Sequence, residues 1–256
     1  MPLTPAHAAA ALPLSRLRPR LPLAALVVGT MAPDFEYLLR LAPRGRFGHS
    51  PLGLIAFCLP AGLLVHLAYE RVVRPALVGL LPPGVATAAG PERRAGLVAA
   101  ALALLLGALS HVAWDGFTHD SGWAVARLPG LREQVAPAAI PGLRWYTLLQ
   151  HASTLVGLAV VLAWGGRWLR RLPAGARRYA PAQGARSART ALALLSVAAL
   201  AGLANGARAL SASAPVLLGY AAVGAMSGLA VAAFAYGVWV ASRRGVPGVA
   251  PTTWRR

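Results

Sequence analysis

The sequence predicts an all-α protein, a polytopic membrane helix bundle of about six transmembrane helices preceded by a short N-terminal helix. Three observations predict it. Of the 256 residues 57% are hydrophobic and the mean hydropathy is +0.58, too apolar for a soluble domain. The apolar residues fall in long runs, and about 20 apolar residues are needed to cross a bilayer as a helix. The net charge of +18 comes from arginines alone, which cluster between those runs, as basic residues do in the cytoplasmic loops of membrane proteins. Arginines placed this way serve topology, so no nucleic-acid partner is expected. The absence of lysine excludes Schiff-base chemistry and a Walker-type phosphate loop. The single Cys58 lies inside an apolar run, which excludes a disulfide framework. No signal peptide is expected, because the basic start and the cleavage site are missing.

The elements follow in order. Residues 4–14 read as a short helix with Thr4 as N-cap and Pro5 at its first position. Arg16, Arg18 and Arg20 follow it. Residues 22–41 are the first long run, interrupted at Met31-Ala32-Pro33-Asp34, since Pro33 lacks a backbone donor and disfavours helix before it. A break carrying Asp34 and Glu36 within a membrane segment is expected where the backbone lines a polar cavity. Residues 51–73 form the second run, introduced by Gly48-His49-Ser50-Pro51, with Ser50 as a possible cap. A Pro/Gly loop spans 80–94. Residues 95–117 form the third run, and a loop follows over 118–143. The fourth run, 145–168, carries Trp145, Tyr146, Trp164 and Trp168 near its ends, where aromatic belts sit. Residues 167–189 contain seven arginines. The fifth and sixth runs, 190–210 and 215–240, are rich in Ala and Gly, which permit close helix contact in lipid.

This organisation predicts a metal-site membrane domain over 1–168, an Arg-rich cytoplasmic loop over 169–189, a two-helix scaffold over 190–242 and a basic tail over 243–256. With the Arg-rich loop and the tail inside, six crossings place Arg16–Arg20, Arg71, Arg74, Arg93 and Arg94 inside as well. The location expected is a membrane, crossed several times. Asp34, His49, His111, Asp115, His119 and His151 then fall at the outer ends of their runs. His7 joins them only if residues 4–14 and 21–33 form a half-buried hairpin.

The chemistry is confined to the N-terminal half. All seven acids lie within the first 133 residues, and five of the six histidines lie in the first half. His111, Asp115 and His119 are spaced i, i+4 and i+8, so on a helix they lie within about 80° of one another. Imidazoles and a carboxylate on one helix face suit a divalent metal, and ionisable groups in an apolar segment are costly and functional as a rule. Each residue also has a plainer reading. His7 is an ordinary polar residue of a short helix, Asp34 caps a second half-helix, Glu36 faces water, and His49-Ser50-Pro51 only starts a helix. His66 pairs with Glu70, four residues on.

The motifs Thr4…His7, Pro33-Asp34, His49-Ser50 and His111-Val-Ala-Trp-Asp115-Gly-Phe-Thr118 resemble those of the bacterial membrane-bound metal-dependent hydrolases. Within that group the wording "MAPDFEY", "GHS" and "HVAWDGFTH" is most similar to a family of integral membrane proteins that is a domain of unknown function. The likeness covers residues 1–165. A more distant likeness is to the fold of zinc-dependent phospholipase C and single-strand nuclease. It implies His7, Asp34, His49, His111, Asp115, His119 and His151 as ligands in that order. Leu155 stands where that pattern ends in a carboxylate, so the likeness implies one or two divalent ions, zinc by analogy.

What these resemblances imply is metal-assisted hydrolysis of a phosphoester or lipid-like substrate at the membrane face. Asp115 would bridge ions, and Asp34 would ligate or act as general base. Glu36, Thr118 and Asp120 would orient the ligands. Two rivals remain open. A proton, ion or small-molecule transporter would string these groups through the bilayer depth, with Asp34 and His111 more than about 10 Å apart, beyond shared ligation at ~2 Å bonds. An inactive scaffold would keep the site without the chemistry. Lipid is the partner expected, and the oligomeric state is open.

Overall fold

Backbone polar groups of an apolar segment find no partner in lipid except within the segment, so such runs become helices. A computed structural model describes residues 4–17, 21–90, 96–136 and 139–243 of the chain. Among the described residues every element is helical, apart from one isolated bridge between Gln134 and Arg144. In order they are α1 (Ala8–Leu17), α2 (Leu23–Gly29), α3 (Phe35–Arg40), α4 (Pro51–Val78), α5 (Pro83–Ala89), α6 (Leu97–Thr118), α7 (Trp123–Arg127), α8 (Trp145–Arg171), α9 (Pro181–Ala209) and α10 (Ala214–Arg243). Arg18, Arg20, Arg93, Arg94 and the tail beyond Arg243 lie outside the described residues.

The all-helical membrane architecture is as expected. Among the described residues five helices, α4, α6, α8, α9 and α10, are long and apolar enough to cross a membrane, against the six expected. The first run does not form the sixth. Pro33 removes a donor from the ladder, and the run becomes α2, a tight turn at Ala32–Asp34 and α3. In its place α1 and α2 make a hairpin whose two outer ends meet, the Thr4 hydroxyl donating to Asp34 Oδ2 at 2.6 Å. Thr4 thus bonds across the hairpin instead of capping its own helix. The loop expected over 118–143 contains α7 and a turn at Pro129–Arg132, and that over 80–94 contains α5.

The chain divides into two compact units. The first comprises residues 1–36, 45–64 and 93–167. Its core is made by Ala11 of α1, Ala25 and Leu26 of α2, and Ala100, Ala103 and Leu104 of α6. Small residues set how closely α2 and α6 approach. A Cβ on Gly107 would lie 2.5 Å from the Leu26 carbonyl oxygen and 2.7 Å from the Thr30 nitrogen, and one on Gly29 would strike the Leu104 backbone. A second core cluster joins Ala32, Leu54, Cys58 and Ala108. Inside α4 two π turns, Leu54–Cys58 and Tyr69–Val73, each end two residues before a proline. A missing proline donor loosens the ladder just ahead of it.

The second unit comprises residues 37–44, 65–92 and 168–256. Its main feature is the antiparallel pair α9 and α10, which cross at glycines. A Cβ on Gly224 would lie 2.5 Å from the Ala201 carbonyl oxygen. Asn205 Nδ2 donates to the carbonyls of Tyr220 at 2.7 Å and Leu41 at 3.1 Å. Leu41 is held in the left-handed region at φ 49°.

Gly107→Leu forces α2 and α6 apart. It should cost on the order of 1–3 kcal/mol or more, as overpacking does, read as a lowered unfolding temperature in detergent. Gly130→Leu, where an added Cβ meets nothing within 4 Å, should leave that temperature unchanged.

Candidate metal centre

Four stretches of chain bring their polar residues to one point of the first unit. The turn Thr4–His7 supplies His7, and the turn at Pro33 supplies Asp34. The loop before α4 supplies His49, and the last turns of α6 supply His111 and Asp115. His7, Asp34, His111 and Asp115 are buried, while the His49 side chain is 18% exposed.

Local chemistry holds each one in place. Ser50 caps α4, its Oγ accepting the Gly53 N–H at 3.0 Å. Glu36 is buried, and its Oε2 accepts the N–H groups of Phe47 at 3.1 Å and Gly48 at 3.3 Å. That fixes the loop immediately before His49. Cys58 Sγ contacts the Gly48 carbonyl at 3.2 Å from below. His111 Nδ1 lies 2.8 Å from the Thr30 carbonyl, which only accepts, so Nδ1 carries the proton and donates. Its Nε2 then faces the cluster.

The side chains lie close enough for their ligand atoms to share an ion or to pair with one another. His49 Nε2 and His111 Nε2 are 3.3 Å apart. His49 Nε2 is 3.5 Å from Asp34 Oδ1 and 3.5 Å from Asp115 Oδ2. His111 Nε2 is 3.6 Å from Asp34 Oδ1 and 3.3 Å from Asp115 Oδ2. Bonds of about 2.0–2.1 Å to a tetrahedral ion imply edges of about 3.3–3.4 Å. The five separations lie on or just above that length. A second position adjoins the first: His7 Nε2 is 3.5 Å from Asp115 Oδ1, so the two oxygens of Asp115 face different imidazoles. Two overlapping groups, His7/His111/Asp115 and Asp34/His49/His111, have ligand atoms close enough to share an ion.

The donor set fits a divalent cation on electrostatic grounds. Asp34 and Asp115 would put two negative charges in a dry site, where desolvation disfavours the charged form. His7 Nε2, Asp34 Oδ1 and Asp115 Oδ1 are buried without a hydrogen-bond partner. One proton on His111 Nε2 satisfies only one of its oxygen neighbours, whereas a cation among them satisfies all. Burial, reinforced by the neighbouring His111, pushes His7 down to about 3. It is therefore neutral at pH 7, the form that binds metal. Burial also lowers His119.

The remaining expected residues fall less centrally. His119 is the C-cap of α6 with extended backbone, and its Nδ1 lies 3.2 Å from the Asp115 carbonyl and 3.6 Å from Asp115 Oδ2. It leaves the helix there but keeps its ring beside the same Asp115 oxygen as His111. His151 is exposed on α8 and belongs to neither ligand group. Thr118 is fully buried, and its hydroxyl meets the Trp114 carbonyl and His119 Nδ1. Asp120 is exposed, 3.9 Å from Arg132. Glu36 holds a loop backbone where an imidazole partner was expected. Thr30 acts through its carbonyl, for which no side-chain signal exists.

Five membrane-length helices and a buried cluster of imidazoles and carboxylates define a polytopic membrane protein with a site able to hold metal. Residues 1–238 match the family described as "Domain of unknown function (DUF4184)", and the chain belongs to that family. The match runs well past residue 165, where the sequence likeness was expected to end, so α9 and most of α10 are part of the family pattern. Among curated proteins and among solved structures nothing matches the chain.

Glu36→Ala leaves two N–H groups without their acceptor, at a cost of about 1–3 kcal/mol. It should lower the unfolding temperature and weaken metal uptake through His49, both measurable by metal titration of purified protein.

Proposed function

We propose that the protein is a membrane-embedded, metal-dependent hydrolase acting on a phosphoester of lipid-like character, with zinc as its ion. The observation that carries this reading is the set of five separations of 3.3–3.6 Å among His49, His111, Asp34 and Asp115. His49 and His111 with a carboxylate oxygen of Asp34 or Asp115 would hold one divalent ion, and His7 faces the other oxygen of Asp115. Such an ion would supply Lewis acidity toward a phosphoryl oxygen.

The chain's own groups supply the rest. Thr4 fixes Asp34 by donating to Oδ2, and Thr30 fixes the His111 tautomer. The His119 side chain, 25% exposed, is with His49 one of the two imidazoles at the cluster that solvent reaches, placed to accept a proton and pass it outward. The Arg-rich loop after α8 and Arg71 and Arg74 of α4 favour the cytoplasm for those ends. The end of α6 that carries the site would then face outward, at the bacterial inner membrane. The transporter reading requires Asp34 and His111 to be far apart, and they lie 3.6 Å apart. The same contacts also suit imidazole–carboxylate pairs that share protons with no metal, and metal analysis separates the two.

Elemental analysis of the purified protein should find one or two divalent ions per chain, removable by chelator and restored by zinc. His111→Ala and Asp115→Asn should abolish uptake, and hydrolysis of a chromogenic phosphodiester should fall to background in both. Protein that contains no metal and takes up none would leave a proton-sharing His/Asp network and end the hydrolase reading.

A further inference from the structure

The first unit contains an apolar groove with His7 of the cluster in its lining. Its walls are the Thr4–His7 turn with α1 on one side and α8, with the facing part of α6, on the other. One cavity of about 330 Å³ is lined by His7, Ala6 and Ala10 and, across from them, Val156, Gly157 and Val160. A second cavity of about 520 Å³ shares Val156 and Val160 with it and continues to Arg16 and Arg167. The α8 positions recur at helical spacing, so they form one face. Gly157 sets the depth, since a Cβ there would lie 2.6 Å from the Ala6 carbonyl oxygen.

Apolar walls alone do not name an occupant. Here one end of the groove is His7, 7% exposed, with its Nε2 buried and without a hydrogen-bond partner. His7 also stands 3.5 Å from Asp115. The wall helices α6 and α8 are both of membrane-spanning length and composition, so the medium at the groove is lipid. From Ser153 to Arg167 α8 rises about 21 Å, more than the roughly 15 Å half-thickness of the hydrocarbon core.

We propose that this groove holds one acyl chain of a bilayer glycerophospholipid, with the headgroup brought to His7 and Asp115. This rests on the hydrolase reading for the role of the headgroup, but the chain site stands or falls separately. It makes the substrate a lipid taken directly from the membrane.

The test is photo-crosslinking of the full-length protein in phosphatidylcholine vesicles doped with a phospholipid bearing a diazirine on one acyl chain. Adducts are mapped by mass spectrometry. They should concentrate on the facing surfaces of α1 and α8 and saturate with probe. Val156→Trp with Val160→Trp, which fills the groove from exposed positions, should reduce them about tenfold while leaving metal content at the wild-type level. Saturation of the wild type by unlabelled dipalmitoyl lipid provides the same reading without a variant. His111→Ala should lose metal and keep the adducts. Adducts spread evenly over the lipid-facing sides of α9 and α10 would overturn the proposal, as would groove adducts that neither saturate nor respond to the tryptophans. Crosslinks joining two copies of the chain at this face would overturn it in favour of a self-association surface. Groove adducts in a protein without metal or phosphoesterase activity would sink the hydrolase reading and leave the lipid site intact.

Discussion

Two carboxylates held in an apolar membrane domain dominate the energetics of this protein. Asp34 is 1% exposed and Asp115 is 8% exposed, and a charge taken out of water at such positions costs several kcal/mol unless it is compensated. The compensation visible in the chain is partial. Thr4 serves one oxygen of Asp34, and His49 and His111 crowd the other. Either a divalent charge among these groups or protons shared between the imidazoles and the carboxylates would complete that compensation.

The scaffold is built to keep that geometry. Gly29 and Gly107 let α2 lie against α6 with backbone nearly touching backbone, which carries the Thr30 carbonyl to His111. Glu36 and Ser50 tie down the two sides of the loop that presents His49. The hairpin of α1 and α2 returns His7 to the same place as Asp34. None of these devices depends on an isolated helix propensity. Each is a close approach or a buried hydrogen bond that a single added methyl or lost acceptor disrupts.

Much of this was legible in the residues. The apolar runs located α4, α6, α8, α9 and α10, because length and hydropathy are local properties. The i, i+4 spacing of His111 and Asp115 correctly implied a shared face, and Pro33 correctly implied a break. His119 departs from helical spacing because α6 ends at Thr118, yet its Nδ1 stays 3.6 Å from Asp115 Oδ2. His151 could not be judged from its place at the start of a run, since the facing of α8 depends on tertiary packing. Five described helices against the expected six or so are long and apolar enough to span, because Pro33 breaks the first run into α2, a turn and α3. The backbone donors that Glu36 accepts from and the backbone carbonyl of Thr30 were invisible because backbone groups carry no residue signature.

The hairpin has a consequence for biogenesis. Its first arm packs at Ala6 against Gly157, about 150 residues later in the chain. During synthesis at the membrane, α1 can pack against α2 and α6 as soon as they are made, but the Ala6 contact of this arm is open until α8 has emerged. The cluster and its cover therefore draw on different parts of the chain: His7 meets His111 and Asp115 of α6, while the other wall over Ala6 comes from α8. A nascent or truncated chain ending before α8 would carry most of the same ligands without the finished pocket.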